Sequence, residues 1–125
     1  MNFIEQLKSD GCDVDSAGKR LGSMNLYLRF IRQFPDDKSL ESYRTAFESG
    51  DFESAFRYIH SLKGLAATFG FTDLCTTAGS IDTALGTQNY DRAGQLNTLL
   101  YQQHQLLTAL IQTYCAQTMQ EGVSL

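Results

Sequence analysis

The 125-residue chain has two histidines, and one of them, His60, is followed by a lysine at position 63 and a glycine at position 64. Residues three and four apart share one face of a helix. His60, Lys63 and Gly64 therefore group an imidazole, a positive charge and a patch of bare backbone. An imidazole with a free ring nitrogen is a nucleophile near neutral pH. Attack on phosphorus gives a phosphoramidate, a form of covalent catalysis or storage. The product carries negative charge, which an ammonium one turn away offsets as a point-charge phosphate partner. Gly64 would leave room for the phosphoryl group and for whatever closes over it. A glycine inside a helix costs roughly 1 kcal/mol relative to alanine, and Gly64 has no capping duty that would account for it. The competing reading at this level is plain: an incidental surface histidine and lysine, with a glycine that only permits close helix packing.

The elements that must position this cluster are helices. The stripe Phe52, Ala55 or Phe56, Ile59, Leu62, Ala66, Phe69 repeats at intervals of three and four, with Asp51 as N-cap and Gly70 as stop. On that helix His60 lies roughly 130° from the centre of the apolar stripe, and so faces out. Phe56, Lys63, Gly64 and Ala67 surround it, with Arg57 at the margin.

Helical punctuation continues on both sides. Phe3, Ile4 and Leu7 suggest a short first helix ending before Asp10-Gly11. Residues 12–22 read as a loop with some helix near Ala17 to Leu21, capped by Asp15 or Ser16. Ser23 caps a helix carrying Leu26, Tyr27, Phe30, Ile31 and Phe34, which Pro35 ends. Asp36 or Asp37 caps the next, with Leu40, Tyr43 and Phe47 inward and Gly50 at its end. Thr72 caps a helix with Leu74, Ala78, Ile81 and Leu85, stopped at Gly86. Asn89 caps the last and longest, along which Ala93, Leu96, Leu100, Leu107, Leu110 and Tyr114 are apolar, interrupted on that stripe by Gln103 and widened by Leu99, Leu106 and Ile111. The glutamines from Gln95 to Gln120 form a solvated face, and the tail beyond Gln120 is expected to fray.

Stops followed at once by starts force antiparallel neighbours. No segment alternates with period two. The expected fold is all-α: an up-and-down antiparallel four-helix bundle with short additional N-terminal helices. The chain reads as one domain over residues 1–125, with the bundle core at roughly 23–118.

Composition narrows the function classes. Apolar residues make up 42% and charged residues 19%, as in a soluble globular protein. The net charge of −4 gives no basic field for nucleic acid or anionic membrane. The three cysteines, Cys12, Cys75 and Cys115, are scattered, which argues for free thiols and against a metal site. The amino terminus lacks a signal-peptide pattern, and no apolar run approaches the ~20 residues of a membrane span. A cytoplasmic location is expected.

His60-Ser61-Leu62-Lys63-Gly64, followed by Ala66-Ala67, Phe69-Gly70 and Leu74, resembles the signature of histidine-containing phosphotransfer (HPt) domains. Arg20-Leu21-Gly22, Leu26-Tyr27 and the run from Phe30 to Phe34 look like the family's second helix. Phe47 to Asp51 also matches, and Ala78, Ile81-Asp82 and Ala84 look like its following helix. The likeness spans roughly residues 14–110. It implies a four-helix bundle with an exposed phosphohistidine, acting in a multistep phosphorelay. A receiver-domain aspartate, upstream in a hybrid sensor kinase, would donate the phosphoryl group and another response-regulator receiver would accept it. The carrier would have no ATP site and no cofactor of its own, Mg²⁺ being supplied by the receiver. It would act as a phosphocarrier rather than an enzyme and be monomeric. By position, His60 is the phosphoacceptor, Lys63 the stabilising cation and Gly64 the clearance residue. Asp82 stands where many members have glutamine or glutamate that orients the histidine; aspartate is shorter, and its charge would repel a nearby phosphoryl group.

Receivers present an apolar patch beside their aspartate, so the resemblance also implies an apolar docking face. Phe56, Arg57, Ala67 and Asp82 are candidates for it, with whichever of Leu26, Tyr27 and Phe30 do not point inward. His104 has no lysine or glycine at matching offsets and reads as a solvated surface residue. Other readings are an amino-terminal phosphotransfer domain of a chemotaxis-type kinase, a histidine kinase dimerisation domain, and a helical bundle that binds a partner without transfer. The kinase motif usually has an acidic residue after the histidine, where this chain has Ser61. The start at Met1 tilts toward a free-standing protein.

Overall fold

The computed structural model describes residues 2–120, with side chains placed through Thr118. Among these residues the chain forms α1 (Phe3–Ser9), α2 (Val14–Leu21), α3 (Met24–Ile31), a 3₁₀ turn (Phe34–Asp36), α4 (Ser39–Glu48), α5 (Phe52–Phe69), α6 (Thr72–Gly86) and α7 (Tyr90–Gln120). Successive helices from α4 to α7 pack as antiparallel neighbours, so the bundle is up-and-down, and α1 to α3 are the short additional helices. The all-α reading holds. The tail expected to fray lies outside the described residues.

The α5 stripe is the centre of the core. Ala55, Ile59, Leu62 and Ala66 are completely buried and Phe69 nearly so. Leu74, Ala78 and Ile81 of α6 meet them, with Tyr43 of α4 and Leu100 of α7 among the other fully enclosed side chains. At the end where α5 begins, Phe52 stacks on Tyr90 with ring centroids 3.9 Å apart. At the other end, Phe34, Phe69 and Phe71 pack edge-on and tilted against each other.

That second end is a sharp corner. Gly70 takes the left-handed conformation (φ 73°) that ends α5. A Cβ there would collide with the Asp13 carbonyl oxygen, because the start of α2 presses directly on this backbone. Asp13 N–H donates to the Gly70 carbonyl at 2.8 Å. The buried Tyr27 hydroxyl donates to Phe69 O, also at 2.8 Å. Arg20 donates to Ala67 O at 2.6 Å. The amino-terminal helices are thus fastened to the exposed carbonyls at the end of α5, where a cation is favourable.

Several local expectations are corrected. Residues 14–21 are a complete helix rather than a loop, because Asp13, not Asp15 or Ser16, supplies the cap by accepting from Ser16 N. The helix α3 stops at Ile31, short of Pro35; the proline instead sits in the first turn of the 3₁₀ segment that turns Phe34 into the core. Lys38 occupies the N-cap position of α4, while the Asp37 carboxylate accepts from Ser39 N. Thr72 does not cap α6; its hydroxyl donates back to Gly70 O. Gly86 is the last residue of α6, and the stop falls on Thr87.

On α7 the polar Asn97 is buried, its amide oxygen accepting from the Tyr43 hydroxyl, whereas Leu99 and Leu106 face out. Ile111 is inside as expected. His104 is not a solvated residue: its ring lies against Phe34 with centroids 4.9 Å apart. Burial lowers its pKa, Asp37 opposes that shift, and Arg44 adds to it. Burial also pushes the Cys12 thiol up to about 11, with Asp10 and Asp73 contributing. That thiol is therefore a packing residue rather than a nucleophile.

Two outcomes are expected. Gly70→Ala combines a strained φ with a backbone clash, and should cost at least ~2 kcal/mol in a urea titration; unchanged stability would contradict the corner geometry. For His104, the unfolded chain takes up its proton first as pH falls below about 6.5. Stability supplied by the neutral buried ring is therefore present above that pH and lost below it. Denaturation series from pH 7.5 to 5 should decline less steeply for His104→Leu than for wild type, and equal slopes would exclude His104 as a source.

Candidate functional site

The outward side of α5 is a strip of His60, Gly64 and Ala67, all exposed. Their positions follow from the helix period: once Ile59, Leu62 and Ala66 point inward, residues 60, 64 and 67 must point away. His60 lies midway along the helix with its side chain 71% exposed. A Cβ built at Gly64 meets nothing within 4 Å. Packing inside this chain therefore does not require glycine there.

Asp82, from the middle of α6, brings the site together. Its side chain is largely covered, and Oδ2 lies 3.5 Å from His60 Nδ1. The same oxygen lies 3.9 Å from Lys63 Nζ. The sequence marked Asp82 by position in a motif; the fold makes it a shared partner of the imidazole and the ammonium, despite its short side chain. With Nδ1 turned to the carboxylate, Nε2 faces solvent. The Lys63 stem runs across α6 at Gly79, where an added Cβ would meet Lys63 Cε at 3.6 Å. Gly79 carried no motif signal; only the pairing of α5 with α6 reveals it.

The remaining candidates divide. Phe56 is 39% exposed and rests on Gly86 of α6, where an added Cβ would meet its ring at 3.3 Å. Arg57 is exposed and donates to Ser54 Oγ at 3.0 Å. Tyr27 is buried, Leu26 half-buried, and Phe30 is 37% exposed. The strip is flanked by two grooves. One, of about 440 Å³, is bounded by Arg20, Lys63, Ala67, Cys75 and Gly79. The other, of about 560 Å³, is bounded by Leu21, Phe30, Leu65 and Thr68. Among the described residues no group of three or more His, Cys, Asp or Glu side chains is placed to hold a metal ion. No described helix is long and apolar enough to cross a membrane.

An exposed imidazole beside a carboxylate, with an ammonium near the same oxygen and open space one turn on, suits transfer of an anionic group. The Hpt domain family model matches residues 25–117, which spans both α5 and α6. The chain belongs to the Hpt domain family. Members of that family carry histidine phosphotransfer in phosphorelay signalling, as phosphocarriers that interact with receiver domains of two-component systems. No curated protein and no solved structure gives a match.

Because nothing crowds Gly64, Gly64→Ala should stabilise the free protein by about 1 kcal/mol through helix propensity alone. A denaturation midpoint at or below that of wild type would show an internal packing role for the glycine.

Proposed function

We propose that this chain is an intermediate carrier in a multistep phosphorelay, with His60 as phosphoacceptor. It takes the phosphoryl group from the aspartyl phosphate of a receiver domain, upstream in a hybrid sensor kinase, and gives it to the aspartate of a second receiver. The observation that carries this reading is the exposed His60 ring held on Asp82 with Lys63 on the same oxygen.

The transfer balances as follows. In the tautomer that carries its proton on Nδ1, which faces Asp82 Oδ2 at 3.5 Å, the Nε2 lone pair is the nucleophile. Nε2 forms the N–P bond while the bond from phosphorus to the receiver's carboxylate oxygen breaks, and that carboxylate leaves with the electron pair. The product ring is an imidazolium bearing a phosphoryl group, and the Asp82 carboxylate stabilises its positive charge. The phosphoryl group is bonded to Nε2, on the far side of the ring from Asp82, so the repulsion expected from an aspartate is weakened by distance. Lys63 exchanges part of its interaction with Asp82 for the phosphoryl oxygens. Return transfer is the reverse sequence with a different carboxylate. Mg²⁺ held by the receiver would supply charge neutralisation on the transferred group; this chain contributes orientation and one cation.

Gly64 gives the receiver room to approach, and Phe56, Arg57 and Ala67 border the histidine as docking contacts.

The test is incubation with a phosphorylated receiver and Mg²⁺, followed by assay for acid-labile, base-stable phosphate. Wild type should take up label and His60→Gln none; equal labelling would place the site elsewhere. Lys63→Ala should fold normally, since Lys63 is half exposed, and transfer more slowly by on the order of 10²-fold. Unchanged kinetics would remove Lys63 from the mechanism.

A further inference from the structure

The last helix holds a surface that phosphotransfer does not use. From Ala93 to Gln120 there is no Asp, Glu, Lys or Arg, although the chain has 24 such residues (10 basic and 14 acidic). Within that stretch Leu99, Gln102, Leu106, Ala109, Thr113 and Ala116 are all exposed. Their spacing of three, four, three, four and three is the heptad seam of a coiled coil. Leu99 is 45% and Leu106 72% exposed. The core-facing apolar residues of α7 are Ala93, Leu100, Leu107 and Ile111; the second line, with leucine or alanine at four positions and the neutral Gln102 and Thr113 at the other two, is not used by the bundle. An uncharged face is unusual for a solvated helix, whereas interface centres are depleted of charge.

We propose that this seam of α7 pairs with the same seam of a second copy, forming a two-fold dimer. Three features favour a second copy over other occupants. A single helix with a heptad line is completed by another helix with the same line, and every copy has one. Two chains of net charge −4 repel each other, and a stretch without charged residues offers them a place to approach. Beside the seam, Leu106 forms one wall of a cleft of about 200 Å³ with Cys12, Phe71, Leu74 and Leu107, lined also by Asp10 and Asp73, a notch able to receive an uncharged side chain from the copy. Anionic lipid is disfavoured, since the face offers no Lys or Arg. The α5 helix packs on α4 and α6, whereas α7 packs on α6 and meets α5 at most marginally. His60 of each copy therefore stays clear of the contact, and the dimer presents two independent transfer sites.

The seam is short. From Leu99 to Ala116 it covers roughly 25 Å of helix, and pairing over that length buries on the order of 1,000 Å² in total, the lower limit for a specific interface. The dimer is accordingly weak and concentration-dependent, which differs from the monomer implied by the family resemblance.

Sedimentation equilibrium of the full chain from about 5 µM to 1 mM decides the matter. The expected mass rises with concentration from 14.0 kDa toward twice that value. Leu106→Glu, at a site too exposed to disturb folding, should shift the midpoint at least tenfold upward with unchanged helical circular dichroism. A wild-type chain that keeps the monomer mass throughout overturns the proposal and leaves the face to a different macromolecule. A dimer as strong in Leu106→Glu as in wild type also overturns it, by placing the contact elsewhere.

Discussion

The corner at Gly70 sets the register on which the site depends. Its left-handed backbone ends α5, starts α6 and accepts the amino-terminal arm at the same point. Counting from the corner, His60 lies ten residues back along α5 and Asp82 twelve residues forward along α6. At 1.5 Å per residue these are roughly 15 and 18 Å, a similar height on two antiparallel helices. Lys63 and Gly79 face each other lower down by the same arithmetic. One residue more or less within α6 between Thr72 and Asp82 would rotate Asp82 by about 100° and carry it away from the imidazole.

The helix α5 divides its energy and its chemistry by face. Its inward line of Ala55, Ile59, Leu62, Ala66 and Phe69 is enclosed and supplies the hydrophobic stabilisation. The outward line contributes little to folding and gives some up at Gly64. Asp82 stands at the boundary: it is covered enough to have a fixed position and close enough to the surface to orient an exposed ring. An aspartate isolated in apolar surroundings would be costly. Here His60 and Lys63 both lie beside Oδ2, while Oδ1 is buried without a hydrogen-bond partner.

How much was legible in the sequence followed the range of the interaction. His60, Lys63 and Gly64 could be grouped because their relation is one helical turn. The caps at Ser23, Asp51 and Asn89 were legible because each acts on an amide three residues away. The cap of α2 is one of three neighbouring polar residues, a choice that local pattern does not settle; docking of Asp13 on Gly70 does. Likewise Leu99 and Leu106 look like core in a list of apolar positions. Asn97 takes an inward place because Tyr43, from another helix, satisfies it. His104 looks solvated in the sequence because nothing within its own helix announces Phe34. Gly79 was silent for the same reason: its meaning is the lysine that crosses it.

That crossing has a consequence for timing. A free lysine samples many rotamers, and ordering one costs up to ~2 kcal/mol. In this chain the aliphatic stem of Lys63 lies along the backbone at Gly79 and its tip is near Asp82. Much of the ordering is therefore completed when the protein folds, long before a partner arrives. The ammonium behaves less like a tethered ion and more like a fitting with a short throw: it has only to tip from one anion to the next.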